Sequence, residues 1–257
     1  MTEAFFLKAV GLFLIALVRF SGFFINLPVF GETIIPTREK AGLSALCTLL
    51  VLPHLMATQE LPELSVFGYG IMAVKEIVLG LIMSFVVLMN IDSLRLAGQL
   101  MGMQIGFSFV QVVDPNSGTG QAILSEFIQV LGLMVFLMVN GHLLLLQGFT
   151  QSFELVPLAG LTIRGGVVAE VVRISTMVFW FGLQVSMPIF AVILVGDVAL
   201  GIIARTVPKL NVFQVGFALK VMIGFITLAL LLPFVNDQVK ALVHDVYGEI
   251  NMLLNKM

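Results

Sequence analysis

Charge and cysteine are both scarce in this sequence. Asp, Glu, Lys and Arg make up 11% of its 257 residues, against about 25% in globular domains. The net charge is −2, and without a basic patch a nucleic-acid partner is not expected. The single cysteine, Cys47, excludes a disulfide framework and a cysteine-based metal site. His54, His142 and His244 lack ligand-like spacing, so neither a metal nor another cofactor is expected.

Motifs for nucleotide binding and catalysis are also missing. No Gly-Lys dipeptide occurs, which excludes a P-loop, and Gly118-Thr119-Gly120 lacks the third glycine of a dinucleotide-binding fingerprint. Gly106-Phe107-Ser108 lacks the closing glycine of a nucleophile elbow. The sequence therefore predicts a protein that is not an enzyme. No linker-like stretch divides it, so we expect one folded unit over residues 1–257.

Apolar residues dominate what is present. They form 59% of the chain, and the mean hydropathy is +1.10, which is typical of membrane proteins. A helix needs about 20 apolar residues to span the hydrocarbon core of a bilayer. Only 127–146 and 174–196 reach that length without an internal charge. We therefore expect an all-α, membrane-type protein built of helical hairpins.

Several apolar tracts contain charged residues. A charge at the centre of a lipid-facing helix costs about 2.5–3.5 kcal/mol on insertion scales. Basic residues also occur in almost every connection, so the positive-inside rule gives no clear orientation. Both observations favour helices that pack inside a protein assembly over helices that are surrounded by lipid. The charges within tracts are Lys8, Arg19, Lys75, Glu76 and Lys220.

Lys75 and Glu76 are adjacent, so on a helix they cannot face each other. Each needs a partner from elsewhere, and Glu126 and Lys220 are the candidates of opposite sign that we expect to be buried. One interpretation is a proton or ion relay. The other is a structural pair that fixes helix register, which we favour because no chain of carboxylates and histidines accompanies them.

Residues 97–121 form the most distinctive stretch. Gly98, Gly102 and Gly106 recur at steps of four, which lets another helix backbone approach closely. An apolar run follows, and then Asp114-Pro115 begins a turn-forming segment rich in glycine. The stretch is either a turn between two packed helices or a loop that blocks a pathway, and the residues alone favour the turn.

Residues 236–257 predict an amphipathic helix. Its apolar residues recur at steps of three and four, from Val239 to Met257. Its polar face is slightly acidic, whereas helices that bind anionic lipid are usually basic. We therefore expect this helix to dock against another protein, and packing within the chain is the alternative.

The stretch 204–213, ARTVPKLNVF, resembles the signature of the FliR family of type III secretion export gates. Arg205, Pro208, Asn211 and Phe213 are the family-motif residues in it. Three other stretches also match the family pattern, and they occur in the same order along the chain: residues 19–31, Lys75-Glu76 with Gly80, and residues 102–115. Lys209 stands where glutamine is expected and Ala218 where proline is expected. The Ala-Arg-Thr-Val-Pro sequence at 204–208 resembles the flagellar members of the family more than the injectisome members.

The resemblance implies a subunit that joins FliP and FliQ in a helical, hetero-oligomeric pore, with FlhB wrapped onto it. It implies kinked helical hairpins, with a FliP-like part at about 1–170 and a FliQ-like part at about 171–257. The expected location is the flagellar basal body in the bacterial inner membrane, and the expected cargo is unfolded flagellar proteins.

The resemblance also favours interpreting residues 106–121 as a loop that blocks a pathway, namely a plug that closes the pore, over a simple turn between helices. Phe107, Phe109, Val110 and Val112 would form the apolar stopper, and Asp114-Pro115 would set the turn. Two alternatives stay open. One is a secondary transporter of small solutes or ions that uses Lys75, Glu76 and Lys220 as coupling groups. The other is a purely structural membrane scaffold.

Overall fold

A computed structural model describes residues 2–27, 36–62, 65–107, 119–162, 165–207 and 211–257. Throughout these ranges the regular structure is helical, and no strand occurs in them. The predicted all-α class is confirmed. The seven helices of the described residues are α1 (Thr2–Asn26), α2 (Thr37–Thr58), α3 (Val66–Ile105), α4 (Thr119–Met138), α5 (Gly141–Leu155), α6 (Gly165–Thr206) and α7 (Val212–Leu254).

Three of these helices are unusually long. α3, α6 and α7 contain 40, 42 and 43 residues, which at about 1.5 Å per residue is roughly 60 Å of helix. The hydrocarbon core of a bilayer is only about 30 Å thick. Proline lies inside α2, α6 and α7 and removes one backbone hydrogen bond from each. The helix predicted over 236–257 is the second half of α7, which continues through Pro233.

Five helices are long and apolar enough to cross a membrane, counting only described residues: α1, α2, α3, α6 and α7. A sixth span results if α4 and α5 are taken together. The helices differ in how well the chain itself covers them. Within their most apolar stretches, 44% of residues are buried in α1 and in α3, but only 17% in α2 and in α6.

The chain divides into two compact units. Unit 1 comprises Met1–Met89, Asn140–Ile174 and His244–Met257, and unit 2 comprises Asn90–Val139 and Ser175–Val243. Long helices contribute residues to both units, and the expectation of one folded export-gate unit over residues 1–257 stays a prediction. The expected likeness of 1–170 and 171–257 to two partner subunits concerns a different property and stays a prediction.

The core of unit 1 is aromatic. Phe20 and Phe23 of α1 pack on Phe149 of α5 with ring centroids 4.3 and 4.4 Å apart, and Phe153 packs 5.9 Å from Phe20. All four rings are fully buried. These rings bring the α1 residues just before them, including Arg19, against the end of α5.

Two glycines set the distance between α1 and α3 in unit 1. A Cβ on Gly80 would lie 2.3 Å from the carbonyl oxygen of Arg19, and one on Gly22 would lie 2.5 Å from that of Ile77. Only hydrogen fits at either position, so the two backbones are in contact. The approach places α3 within reach of Arg19.

In unit 2 the glycines of the 97–121 stretch have different roles. A Cβ on Gly98 would lie 2.6 Å from the Cα of Ser125, so close packing of α3 on α4 is observed there. Gly106 lies beyond the last helical residue, Ile105, and has φ +106°. Its amide and that of Phe107 both donate to the carbonyl of Gly102. Gly106 therefore ends α3, as a left-handed glycine commonly does, and does not extend a packing stripe.

The apolar face predicted for 236–257 is buried within the chain. Ile250, Leu253 and Leu254 of unit 1 and Val239 of unit 2 are each at most 1% exposed. This face packs against residues of the same polypeptide, so the expectation that it docks on another protein is wrong. The sequence pattern gives the apolar face of a helix but does not identify the surface that covers it.

Candidate functional site

One group of buried polar contacts in unit 1 is centred on Arg19. Its side chain is 0% exposed, and its Nε lies 2.5 Å from Oε2 of Glu76, which is 1% exposed. The guanidinium also donates to the carbonyls of Ser152 and Val156 at 3.0 Å and lies 4.2 Å from the ring centre of Phe153. Arg19 therefore pairs with the carboxylate of Glu76 and also donates hydrogen bonds to the carbonyl groups at the C-terminal end of α5.

Glu76 and Lys75 bind the same residue of the chain that follows α5. The amide of Ala159 donates to Oε1 of Glu76 at 3.0 Å, and Lys75 donates from Nζ to the carbonyl of Ala159 at 3.3 Å. Ala159 has φ +65°, an uncommon conformation for a residue with a Cβ. Although Lys75 and Glu76 do not face each other, they hold this turn from both sides.

These contacts differ from the pairing expected for Lys75 and Glu76. The partner of Glu76 is Arg19, and neither Glu126 nor Lys220 takes part. Glu126 is 61% exposed, 3.9 Å from Arg95, and Lys220 is 31% exposed and pairs with Asp197 at 2.8 Å. The reason is geometric, because Glu126 and Lys220 belong to unit 2. The interpretation of a structural pair that fixes register agrees with the Arg19–Glu76 contact.

The ion pairs of unit 2 lie at the surface of the chain. Asp92 is 3.8 Å from Arg95, as their spacing of three predicts, and Arg95 also donates to Oε1 of Gln129 at 2.9 and 2.7 Å. Lys220 and Asp197 link α7 to α6 and are each about one-third exposed. Partly exposed charges on strongly apolar helices are unusual, because a charge that faces lipid is unfavourable.

The family-motif residues surround the connection between α6 and α7. Arg205 lies in the last turn of α6, where a cation interacts favourably with the helix dipole. Asn211 precedes α7, and its Oδ1 accepts a hydrogen bond from the amide of Gln214 at 3.4 Å. Asn211 thus acts as an N-cap. Pro208 and the side chain of Phe213 lie outside the described residues.

The predicted plug begins at a well-defined corner. Phe107 follows the left-handed Gly106, and its ring meets that of Phe225 edge-on with centroids 5.9 Å apart. Both rings border an apolar pocket of about 300 Å³, together with Ile123, Leu124, Phe127, Leu228, Ala229 and Leu232. Phe109, Val110, Val112, Asp114 and Pro115 lie outside the described residues.

Sequence reasoning missed the residues that complete these sites. Ser152, Val156 and Ala159 contribute backbone groups, which no side-chain pattern reports. Phe225 is one of 22 phenylalanines and carries no distinguishing neighbour. The only available signal was the presence of opposite charges, Arg19 and Glu76, in two different apolar tracts.

Comparison with known proteins gives a consistent result. The model of a family described as bacterial export proteins, family 1, matches residues 10–246. The flagellar biosynthetic protein FliR of Pectobacterium carotovorum is 30% identical over 240 residues, covering 93% of this chain and 91% of that protein. FliR of Bacillus subtilis is 32% identical over 220 residues, covering 84% of each. FliR of Escherichia coli K12 is 28% identical over 230 residues, covering 90% of this chain and 87% of that protein.

The family match spans nearly all the described helices, and the relatives align over most of their own length. The resemblance first seen in the stretches around Arg19, Lys75 and Arg205 is thereby confirmed. The chain belongs to family 1 of the bacterial export proteins and is a helical membrane component of flagellar protein export.

Proposed function

We propose that this chain is a non-enzymatic subunit of the flagellar type III export gate, in the basal body at the bacterial inner membrane. It joins subunits of the FliP and FliQ kinds, with FlhB bound to them, and together they form the channel for unfolded flagellar proteins. Energy comes from other components, since no nucleotide-binding motif was found in the sequence.

The observation that carries this proposal is the large apolar surface that the chain leaves uncovered. Only 17% of the most apolar stretch is buried in α6, and 22% in α7. Trp180 and Leu230, for example, are 61% and 76% exposed. Lipid alone is a poor cover, because the partly exposed pair Lys220–Asp197 lies on the same two helices. Neighbouring subunits can cover apolar and charged groups together.

The plug is the second part of the proposal. Gly106 ends α3 at a fixed residue, and Phe107 is held against Phe225, so the chain enters segment 108–118 from a defined point. We assign Phe109, Val110 and Val112 to an apolar constriction of the channel, with Asp114-Pro115 as its turn. An apolar constriction stops ions because they cannot shed their hydration shells there.

The plug is tested by deleting residues 108–113, which leaves Phe107 in its packed position. The expected result is a complex that assembles normally but collapses an imposed potential across membrane vesicles, because the constriction is gone. The measurement is ion flux together with the mass of the solubilised complex. A matched control replaces 108–113 by six Gly and Ser residues, which keeps the length and removes the apolar side chains. Assembled complexes that stay ion-tight in both variants would exclude the plug.

A further inference from the structure

A polar cleft in unit 1 has no role in the channel proposed above. On α5, polar side chains recur at steps that place them on one helical face. They border a cleft of about 490 Å³ between α5, α2 and the end of α7. The residues that line it are Leu50, Val51, His54, Gln147, Thr150, Gln151, Glu154 and Tyr247.

Hydrogen bonds within the cleft leave much of its polar capacity unused. Nε2 of His54 lies 3.2 Å from Oε1 of Glu154, and the hydroxyl of Tyr247 donates to Oε1 of Gln151 at 2.9 Å. The side-chain amide of Gln147 has no hydrogen-bond partner among the described residues. The cleft therefore presents a carboxylate oxygen and amide groups that are available to a ligand.

Glu154 is the one acidic residue that lines the cleft, and neither lysine nor arginine is among its lining residues. Lipid tails offer nothing to these polar groups, and the phosphate of a lipid headgroup is repelled by the carboxylate. The nearby cation Lys8 already donates to the carbonyl of Met56 and does not line the cleft. A cation from another molecule is the complementary ligand.

The dimensions suit a single long side chain. Gln147 and Glu154 are seven residues apart on α5, so the cleft follows the helix for roughly 10 Å. Glu154 and His54 lie near the ends of α5 and α2, and both are about half exposed. An extended lysine or arginine can reach from there past Gln151 towards Gln147.

We propose that the cleft receives a lysine or arginine side chain from a neighbouring polypeptide, with Glu154 as its counter-ion and Gln147 and Gln151 as further hydrogen-bond partners. The cleft thus serves as a docking site for a basic segment on the outside of unit 1. It does not depend on the plug, so an ion-tight deletion of 108–113 would leave this inference standing.

The experiment uses one reactive thiol in the cleft. Thr150→Cys is introduced with Cys47→Ala, which removes the native cysteine, and the full chain is produced in membranes either alone or with the other export-gate proteins. Labelling rates are measured with a cationic and an anionic methanethiosulfonate. For the chain alone we expect the cationic reagent to react several-fold faster. Glu154→Gln should bring the two rates together, whereas the exposed control Asp245→Asn should not.

In the complete assembly we expect the thiol to be protected several-fold. A short thiol-to-amine cross-linker, added before assembly is disrupted, should join the introduced thiol to a lysine of another chain. Glu154→Lys should reduce both protection and cross-linking. A thiol that labels equally in both preparations would overturn the inference, because the cleft would then hold only water. The inference would also be overturned if the two reagents reacted at equal rates in the chain alone, or if the thiol were not labelled there. It would likewise be overturned by a cross-link only to Lys8 of the same chain.

Discussion

One ion pair from each unit shows how differently the chain covers its charges. In unit 1, Arg19 and Glu76 are 0% and 1% exposed and are satisfied by groups of the same chain. In unit 2, Lys220 and Asp197 pair closely but remain 31% and 36% exposed on two poorly covered helices. The Arg19–Glu76 pair belongs to a core that the chain itself buries completely. The second pair belongs to a surface that, under the proposed function, other subunits cover.

The largest effect that would test this comparison is expected from Glu76→Gln. Removing one member of a buried ion pair leaves the other charge uncompensated, which typically costs about 3–5 kcal/mol. The free energy of unfolding, measured by titrating detergent micelles with a denaturing detergent, should fall by about that amount. Arg19→Met combined with Glu76→Met should recover part of the loss. A single variant as stable as the parent chain would remove the distinction between the units.

A smaller decrease in the free energy of unfolding is expected from Gly80→Ala. Because the added Cβ would lie 2.3 Å from the carbonyl oxygen of Arg19, α1 and α3 must move apart, and overpacking of this kind costs about 1–3 kcal/mol. Gly70→Ala on the same helix is the matched control, since nothing lies within 4 Å of its Cβ position. Equal stability of the two variants would contradict the backbone contact between α1 and α3.

The cap at the start of α7 gives a local test in unit 2. Asn211→Ala removes the acceptor for the amide of Gln214, which at helix N-caps costs about 1 kcal/mol. Hydrogen exchange should accelerate in the first turn of α7 and remain unchanged at its C-terminal end, near Ile250. Asn211→Ser supplies another oxygen and should restore most of the protection. Uniform exchange across α7 in all three chains would argue against a capping role.

The smallest effect on the chain alone is expected from Asp197→Asn. Partly exposed ion pairs contribute only about 0–1 kcal/mol, so the free energy of unfolding should change little. In the complete export gate the same substitution should lower the yield of assembled complex, because Lys220 is then covered without its partner. Asp237→Asn, whose pair with Lys240 is more exposed, serves as the control. A large loss in the isolated chain would mean that unit 2 is as self-contained as unit 1.

The spacing of residues along the sequence predicted much of the secondary structure but few of the contacts between side chains of different helices. The helical class, the apolar face from Val239 to Leu254 and the Asp92–Arg95 contact follow from spacing along one helix, which the sequence contains directly. The contact between Arg19 and Glu76 joins residues 57 positions apart, and that with Ser152 joins residues 133 apart. Such pairs depend on which helices meet, and spacing does not encode that.

The glycines illustrate the same limit. Gly98 was predicted to lie at a close helix contact and does, but Gly106 instead ends α3. The backbone contact of α1 with α3 at Gly22 and Gly80 was not predicted, because nothing local separates these glycines from Gly70, which faces open space. The predicted plug residues beyond Phe107 lie outside the described residues, so their role stays a prediction.

The burial of Arg19 also bears on how the chain is made. Arg19 leaves the ribosome well before Glu76, and still earlier than Ser152 and Val156, whose carbonyls complete its hydrogen bonds. Until those segments have been synthesised, α1 carries a lone guanidinium whose insertion into lipid is unfavourable by about 2.5–3.5 kcal/mol. Pairing with Glu76 and with the end of α5 removes that cost, so we expect α1 to reach its final position only after these later segments have been made.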